Sequence, residues 1–159
     1  MNDNHLKLGG KQKQMINNKS SIPKVWISGA WAHRERMGQL IDQVRQMGYE
    51  ITHDWTRLEK APNPSPQEMG TYAKFDIDGV KNADIVVAVL EDPDYPYRGT
   101  FTEIGCALGA NKPTHIVWPY SLETSEKNAQ ILFFWHPDII YFKSWDDFID
   151  YLKKTYPLK

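Results

Sequence analysis

Cysteine is nearly absent from this 159-residue chain: Cys106 stands alone, which excludes an internal disulfide framework and suits a reducing compartment. Charge of one sign is lacking too, with 19 Lys and Arg against 20 Asp and Glu, a formal −1. That balance leaves no electrostatic footprint for nucleic acid or an anionic membrane, so neither is expected as a partner. No apolar run approaches membrane-spanning length, and the first residues lack the short apolar core of a signal peptide. A cytoplasmic location is therefore expected. The five histidines, His5, His33, His53, His115 and His136, have no ligand spacing, and no metal site is expected. Gly99, Gly105 and Gly109 are spaced wrongly for a dinucleotide fingerprint, and no Walker pattern exists. No cofactor is expected.

What is present is ordinary globular material, long enough for one domain with a proper core. Six Trp and eight Tyr can line a pocket that stacks flat ligands. Residues 1–23 are polar and aperiodic, with too little apolar surface to offset chain ordering. They are expected to form a disordered extension, followed by one domain over 24–159.

Within that domain, strands are expected at Lys24–Ser28, Tyr49–Thr52, Ile85–Leu90, Thr114–Val117 and Ile139–Phe142. Between them lie helical patterns. Glu35 to Met47 carries Met37, Leu40, Ile41, Val44 and Met47 at helical spacing, and Gly48 stops it. A long loop with three prolines runs from Arg57 to Pro66. Ser65-Pro66-Gln67-Glu68 then reads as a capping box with Pro in the first helical position. That helix runs to about Asn82 and is expected to bury Tyr72, Ala73, Ile77 and Val80. Ser125 to Trp135 is a short helix or loop, and Ser144-x-x-Asp147 caps a last amphipathic helix. Strands alternating with helices through mostly short loops imply a three-layer α/β/α domain. Its five-stranded parallel sheet is expected in flavodoxin-like, Rossmann-like order.

The stretch from Asp84 to Pro113 organises the rest. A continuous β-branched run fits a strand covered on both faces. A loop and a helix opened by Thr100 follow, where open α/β sheets place their ligands. Glu103 sits there. Thr100-x-x-Glu103 also fits a capping box, in which the Glu only returns a hydrogen bond to the cap. Behind it Gly105, Cys106, Ala107, Gly109 and Ala110 are small enough for close packing on the sheet, and Cys106 reads as core. Asp76 shares the apolar stripe of its helix, while Asp78 shares the wet face with Lys74 and Lys81. A carboxylate on an apolar face is costly unless paired or used. Two carboxylates reaching one pocket supply a nucleophile and a proton handler. Trp26, Trp31, Trp55 and Tyr97 read as core aromatics or, for the last three, as pocket walls beyond strand ends.

Three segments in this order, Val25-Trp26-Ile27-Ser28-Gly29-Ala30-Trp31, Asp76-Ile77-Asp78-Gly79-Val80 and Arg98-Gly99-Thr100-Phe101-Thr102-Glu103-Ile104-Gly105, resemble the nucleoside 2-deoxyribosyltransferase family. The resemblance spans roughly Lys24 to Leu152. It implies that Glu103 is the nucleophile and that Asp76 contacts the base and helps move its proton. It puts Trp26 beside the nucleophile, where a Tyr is more familiar. An Asn from a neighbouring subunit commonly completes the sugar site in this family, and Asn128 matches it by loop position. Gly29, Trp31, Trp55 and Gly99 join the expected substrate-binding set. Six residues before the Glu, transferases often carry Asp and related N-hydrolases Ser. Tyr97 stands there instead, with Arg98 beside it. Asp92 or Asp94 supplies the missing carboxylate if the loop is longer, and Arg98 leaves a 5′-phosphate open.

The implied reaction moves a 2-deoxyribosyl group between nucleobases through a covalent Glu103 adduct, with retention at C1′. One alternative is an N-glycosidase acting on 2′-deoxynucleoside 5′-monophosphates with the same Glu. Another is a non-catalytic nucleotide-binding module. Expected partners are small-molecule deoxynucleosides and free nucleobases. A homo-oligomer with the site near the subunit interface is expected, because water must be kept from the intermediate.

Overall fold

A computed structural model describes residues 22–123 and 127–158. The extension expected over 1–23 therefore lies, except for its last two residues, outside the described residues. The five strands are β1 (Lys24–Ser28), β2 (Glu50–Ile51), β3 (Ile85–Val89), β4 (Thr114–Val117) and β5 (Ile139–Phe142). They form one sheet in the order β2-β1-β3-β4-β5, and every pairing is parallel. β3 is buried at every position, as its Ile-Val-Val-Ala-Val sequence demands of a strand covered on both faces. β2 is only two residues long, shorter than the Tyr49–Thr52 expected: the Tyr49 N–H is bonded back to the Val44 carbonyl at 3.3 Å, so pairing with β1 begins at Glu50.

Among the described residues, three α-helices connect strands, α1 (Arg34–Gln46), α2 (Pro66–Asn82) and α3 (Arg98–Gly109), and a fourth, α4 (Trp145–Thr155), follows β5. α1 turns Met37, Leu40, Ile41 and Val44 inward and ends at Gly48, whose φ of +97° suits glycine. With Trp145, Phe148, Ile149 and Leu152 of α4, these side chains fill one core against the sheet. Phe101 and Ile104 of α3 fill a second with Leu90, Ile116, Trp118 and Phe134. Single turns at Asn128–Gln130 and Leu132–Trp135 occupy the segment expected as a short helix or loop.

Three expectations need correction. α3 opens at Arg98, two residues before Thr100, and its N-cap is Tyr97 in the left-handed region at φ 45°. Among α2 residues only Gly79 and Val80 are buried, while Ala73 is exposed and Phe75 is 44% exposed. Full burial is confined to the last turn of α2, where Gly79 meets Trp26 of β1, and Tyr72, Asp76, Ile77 and Asp78 are half-buried. A Cβ added at Gly105 or Gly109 would meet nothing within 4 Å, so these glycines do not serve sheet packing.

Candidate active site

Glu103 lies in the second turn of α3, too deep for a capping role. Its carboxylate instead crosses to β1, the strand beside β3. Trp26 Nε1 donates to Glu103 Oε2 at 3.2 Å, and the Ser28 hydroxyl donates to the same oxygen. Both donors are buried and alternate along β1, so they project to one face of the strand. β1 and β3 are paired from Val25↔Ile85 to Ser28↔Ala88, and the connections from their ends diverge here. This is the switch point at which open α/β sheets bind ligands. Thr100 Oγ1 donates to the Gly29 carbonyl at 3.2 Å, tying the start of α3 to the loop after β1. Burial pushes the Glu103 carboxyl up to about 7, and the nearby Asp76 charge adds to the rise. Ser28, Trp26 and the Lys60 ammonium work against it.

Asp76 approaches the same space from α2. Burial raises its carboxyl above the ordinary range, opposed by His53 and Lys60. One turn further on, a Cβ at Gly79 would stand 2.4 Å from Trp26 Cζ3. The spacing Asp76-x-x-Gly79 thus delivers a carboxylate while leaving room for the indole that holds Glu103. His53 stacks on that indole with ring centroids 6.3 Å apart and planes 11° apart.

Glu103 and Asp76 open on a cavity of about 150 Å³. Trp31, Trp55, Tyr95 and Tyr97 supply its aromatic walls, and Gly29, Gly99 and Thr100 supply its rim near the start of α3. Leu58 and Lys60 close it from the proline-rich loop, with Lys60 Nζ 3.7 Å from the Trp31 ring centroid. Two carboxylates with raised pKa, one held by two donors, beside surfaces that stack flat rings: this is equipment for displacing a planar leaving group.

Residues 25–132 match the nucleoside 2-deoxyribosyltransferase family. The chain belongs to that family. Membership makes it an enzyme of nucleoside deoxyribosyl chemistry. Among similar solved structures is the 2-deoxyribosyltransferase of Bacillus psychrosaccharolyticus, 20% identical, covering 86% of this chain and 97% of that one at a TM-score of 0.60. A conserved protein from Enterococcus faecalis V583 is 17% identical over 85% of this chain and 99% of its own, at 0.59. The solution structure of BlsM is 19% identical over 86% and 88%, at 0.53. At such identities the likeness is one of fold. No curated protein matches the chain.

Against the deoxyribosyltransferase pattern, the structure brings Glu103, Asp76, Gly29, Trp31, Trp55, Tyr97 and Gly99 to one cavity. Trp26 does not line it and reaches the site only through its N–H. Asp92 is bonded to His33 at 2.9 Å and lines a second cavity, of about 250 Å³, which shares the Tyr97 wall. Asp94 is exposed and pairs with Lys127. Arg98 is exposed and lines neither cavity. Asn128 is buried within its own chain, its amide donating to the carbonyls of Pro93 at 3.4 Å and Tyr95 at 3.2 Å. In the single chain it holds the loop that carries Tyr95. Sequence reasoning missed Ser28, Lys60, Tyr95 and Thr100 as site residues. Ser28 had a signal, a hydroxyl ending an apolar strand just before Gly29. Lys60 had none, since one lysine in a proline-rich loop reads as surface.

Proposed function

We propose that the protein transfers the 2-deoxyribosyl group between nucleobases, with Glu103 as nucleophile and Asp76 as proton handler. The observation that carries this reading is the buried Glu103 carboxylate, held by two donors and sharing an aromatic-walled cavity with Asp76. The Glu103 carboxylate attacks C1′ as the C1′–N bond breaks, and its electron pair leaves with the base. Asp76 gives its proton to that base. A second base then attacks C1′, the C1′–O bond returns its pair to Glu103, and Asp76 takes the proton back. Two displacements restore the anomeric configuration. The lack of a 2′-hydroxyl eases the oxocarbenium-like transition state, and Trp31 and Trp55 offer faces on which a base stacks.

Hydrolysis of a deoxynucleoside 5′-monophosphate is the second reading. In its favour, the cavity beyond Tyr97 carries His33 and Arg36. Against it, both are already engaged, His33 with Asp92 and Arg36 with Glu91. Self-association would keep water from the adduct, and exposed Met69, Phe75, Leu132 and Phe133 provide apolar surface for it. A role in deoxynucleoside salvage in the cytoplasm follows from the transfer reaction and the single thiol.

The test is chromatography of a deoxynucleoside incubated with the protein, with and without a second free base. A new deoxynucleoside appearing only with the acceptor supports transfer. Base released mainly from the 5′-monophosphate overturns it in favour of hydrolysis. Unchanged turnover in Glu103→Ala overturns both.

A further inference from the structure

The two donors on Glu103 both bind Oε2, and no side chain among the described residues is bonded to Oε1. Ser28 is 1% exposed, and its hydroxyl has Glu103 as its hydrogen-bond partner. A buried hydroxyl spent wholly on one oxygen of a carboxylate that lines a cavity is more than core polarity. It distinguishes the two oxygens chemically. We propose that Ser28 is a positioning residue which, with Trp26, makes Oε1 the attacking atom and Oε2 the oxygen that receives charge when the carboxylate leaves.

The consequences differ between the two half-reactions, given the Glu103 adduct proposed above, on which this inference rests. In the first, an Oε1 lone pair forms the bond to C1′ and the base departs with the C1′–N pair. Oε2 becomes the carbonyl oxygen of an ester, still facing the Ser28 O–H and the Trp26 N–H. In the second, the acceptor's nitrogen attacks C1′ and the C1′–Oε1 pair returns to the carboxylate. Charge then develops on Oε2, where two donors already point, so they stabilise that transition state without reorganising. Donors on a carboxylate favour its departure more than its attack. Ser28 therefore governs release of the sugar more than its capture.

Removing the hydroxyl has a second effect, on the proton shared by the two carboxylates. Glu103 faces Asp76 from α2 and Lys60 from the loop after β2, while Asp76 also faces His53. Without Ser28 the carboxylate form of Glu103 loses a hydrogen bond, and the shared proton moves away from Asp76 toward Glu103.

The experiment compares wild type, Ser28→Ala and Ser28→Cys by rapid quench, intact-protein mass spectrometry and pH profile. Removing one donor of this kind lowers kcat by about 100-fold, and the weaker thiol donor of Cys gives an intermediate loss. In Ser28→Ala the first turnover releases base in a burst and the deoxyribosyl adduct accumulates above its wild-type level. The alkaline limb of kcat/KM moves to higher pH. Wild-type kcat, adduct level and pH limb in Ser28→Ala would overturn the inference while leaving the Glu103 reading intact. If Ser28→Ala does not fold, the same three readouts on Ser28→Cys decide. A wild-type protein that neither releases base nor carries an adduct overturns the Glu103 reading itself.

Discussion

Burial sets the chemistry of single residues here. Glu103 titrates at about 7 rather than 4.5, chiefly because its carboxylate is out of water. A carboxyl raised by folding adds stability that is complete below pH 4.5 and is lost as pH climbs through 7. Asp76 is raised by the same cause and acts in the same direction. Glu103→Gln removes the charge and keeps the shape. It should abolish turnover and stabilise the fold at pH 8 by on the order of 3 kcal/mol, with little change at pH 4. Thermal melts at the two pH values check this. Turnover itself needs one proton on the pair, held by Asp76, with Glu103 ionised. The kcat/KM profile should be bell-shaped, its alkaline limb near 7 and its acid limb above the ordinary Asp range. Gly79 works by having no side chain. Gly79→Ala drives a Cβ into the Trp26 ring, costing about 1–3 kcal/mol by overpacking. It should also lower kcat, because the displaced indole is the one bonded to Glu103. Urea unfolding and steady-state kinetics measure the two effects separately.

Among the elements, α2 and α3 have opposite ways of beginning. Ser65 accepts from the Glu68 N–H at 3.2 Å, and Glu68 returns a bond to the Ser65 N–H at 2.7 Å. Ser65→Ala should therefore cost about 1 kcal/mol in urea unfolding. α3 has no such cap. Tyr97 opens it in a left-handed conformation, buried, its hydroxyl accepting from the Asp92 N–H at 2.9 Å. Thr100, which the sequence offers as the cap, spends its hydroxyl on the Gly29 carbonyl instead. The capping pattern was legible at both helices and true at one. A capping box is a local pattern, and locally Thr100-x-x-Glu103 satisfies it. What overrides it is a contact with β1, 75 residues away in the chain, made by Ser28.

At the scale of the whole molecule, α2 is exposed or half-buried over most of its length, and the apolar side chains of Met69 and Phe75 are exposed, as are Leu132 and Phe133 on the turns after β4. Burying such surface in a second copy would stabilise the assembly by roughly 25 cal/mol per Å² before association costs. Multi-angle light scattering should find an oligomer, and Phe75→Asp should shift it toward the monomer. A monomeric wild type would sink that expectation. The sequence by itself marked the five strands and their parallel pairing, because hydrophobic period acts within a few residues and strands alternating with helices pair in parallel, and it singled out two carboxylates that the fold brings to one cavity. It also carried enough of three segments to mark the family. Only the tertiary structure decided that Glu103 is held rather than capping, that Ser28 shares the task with Trp26, and that Lys60 lies over Trp31. It also turned Asn128 and Asp94 away from the cavity. Those outcomes depend on which distant side chains meet across adjacent strands and loops, and a linear pattern does not encode such meetings one residue at a time.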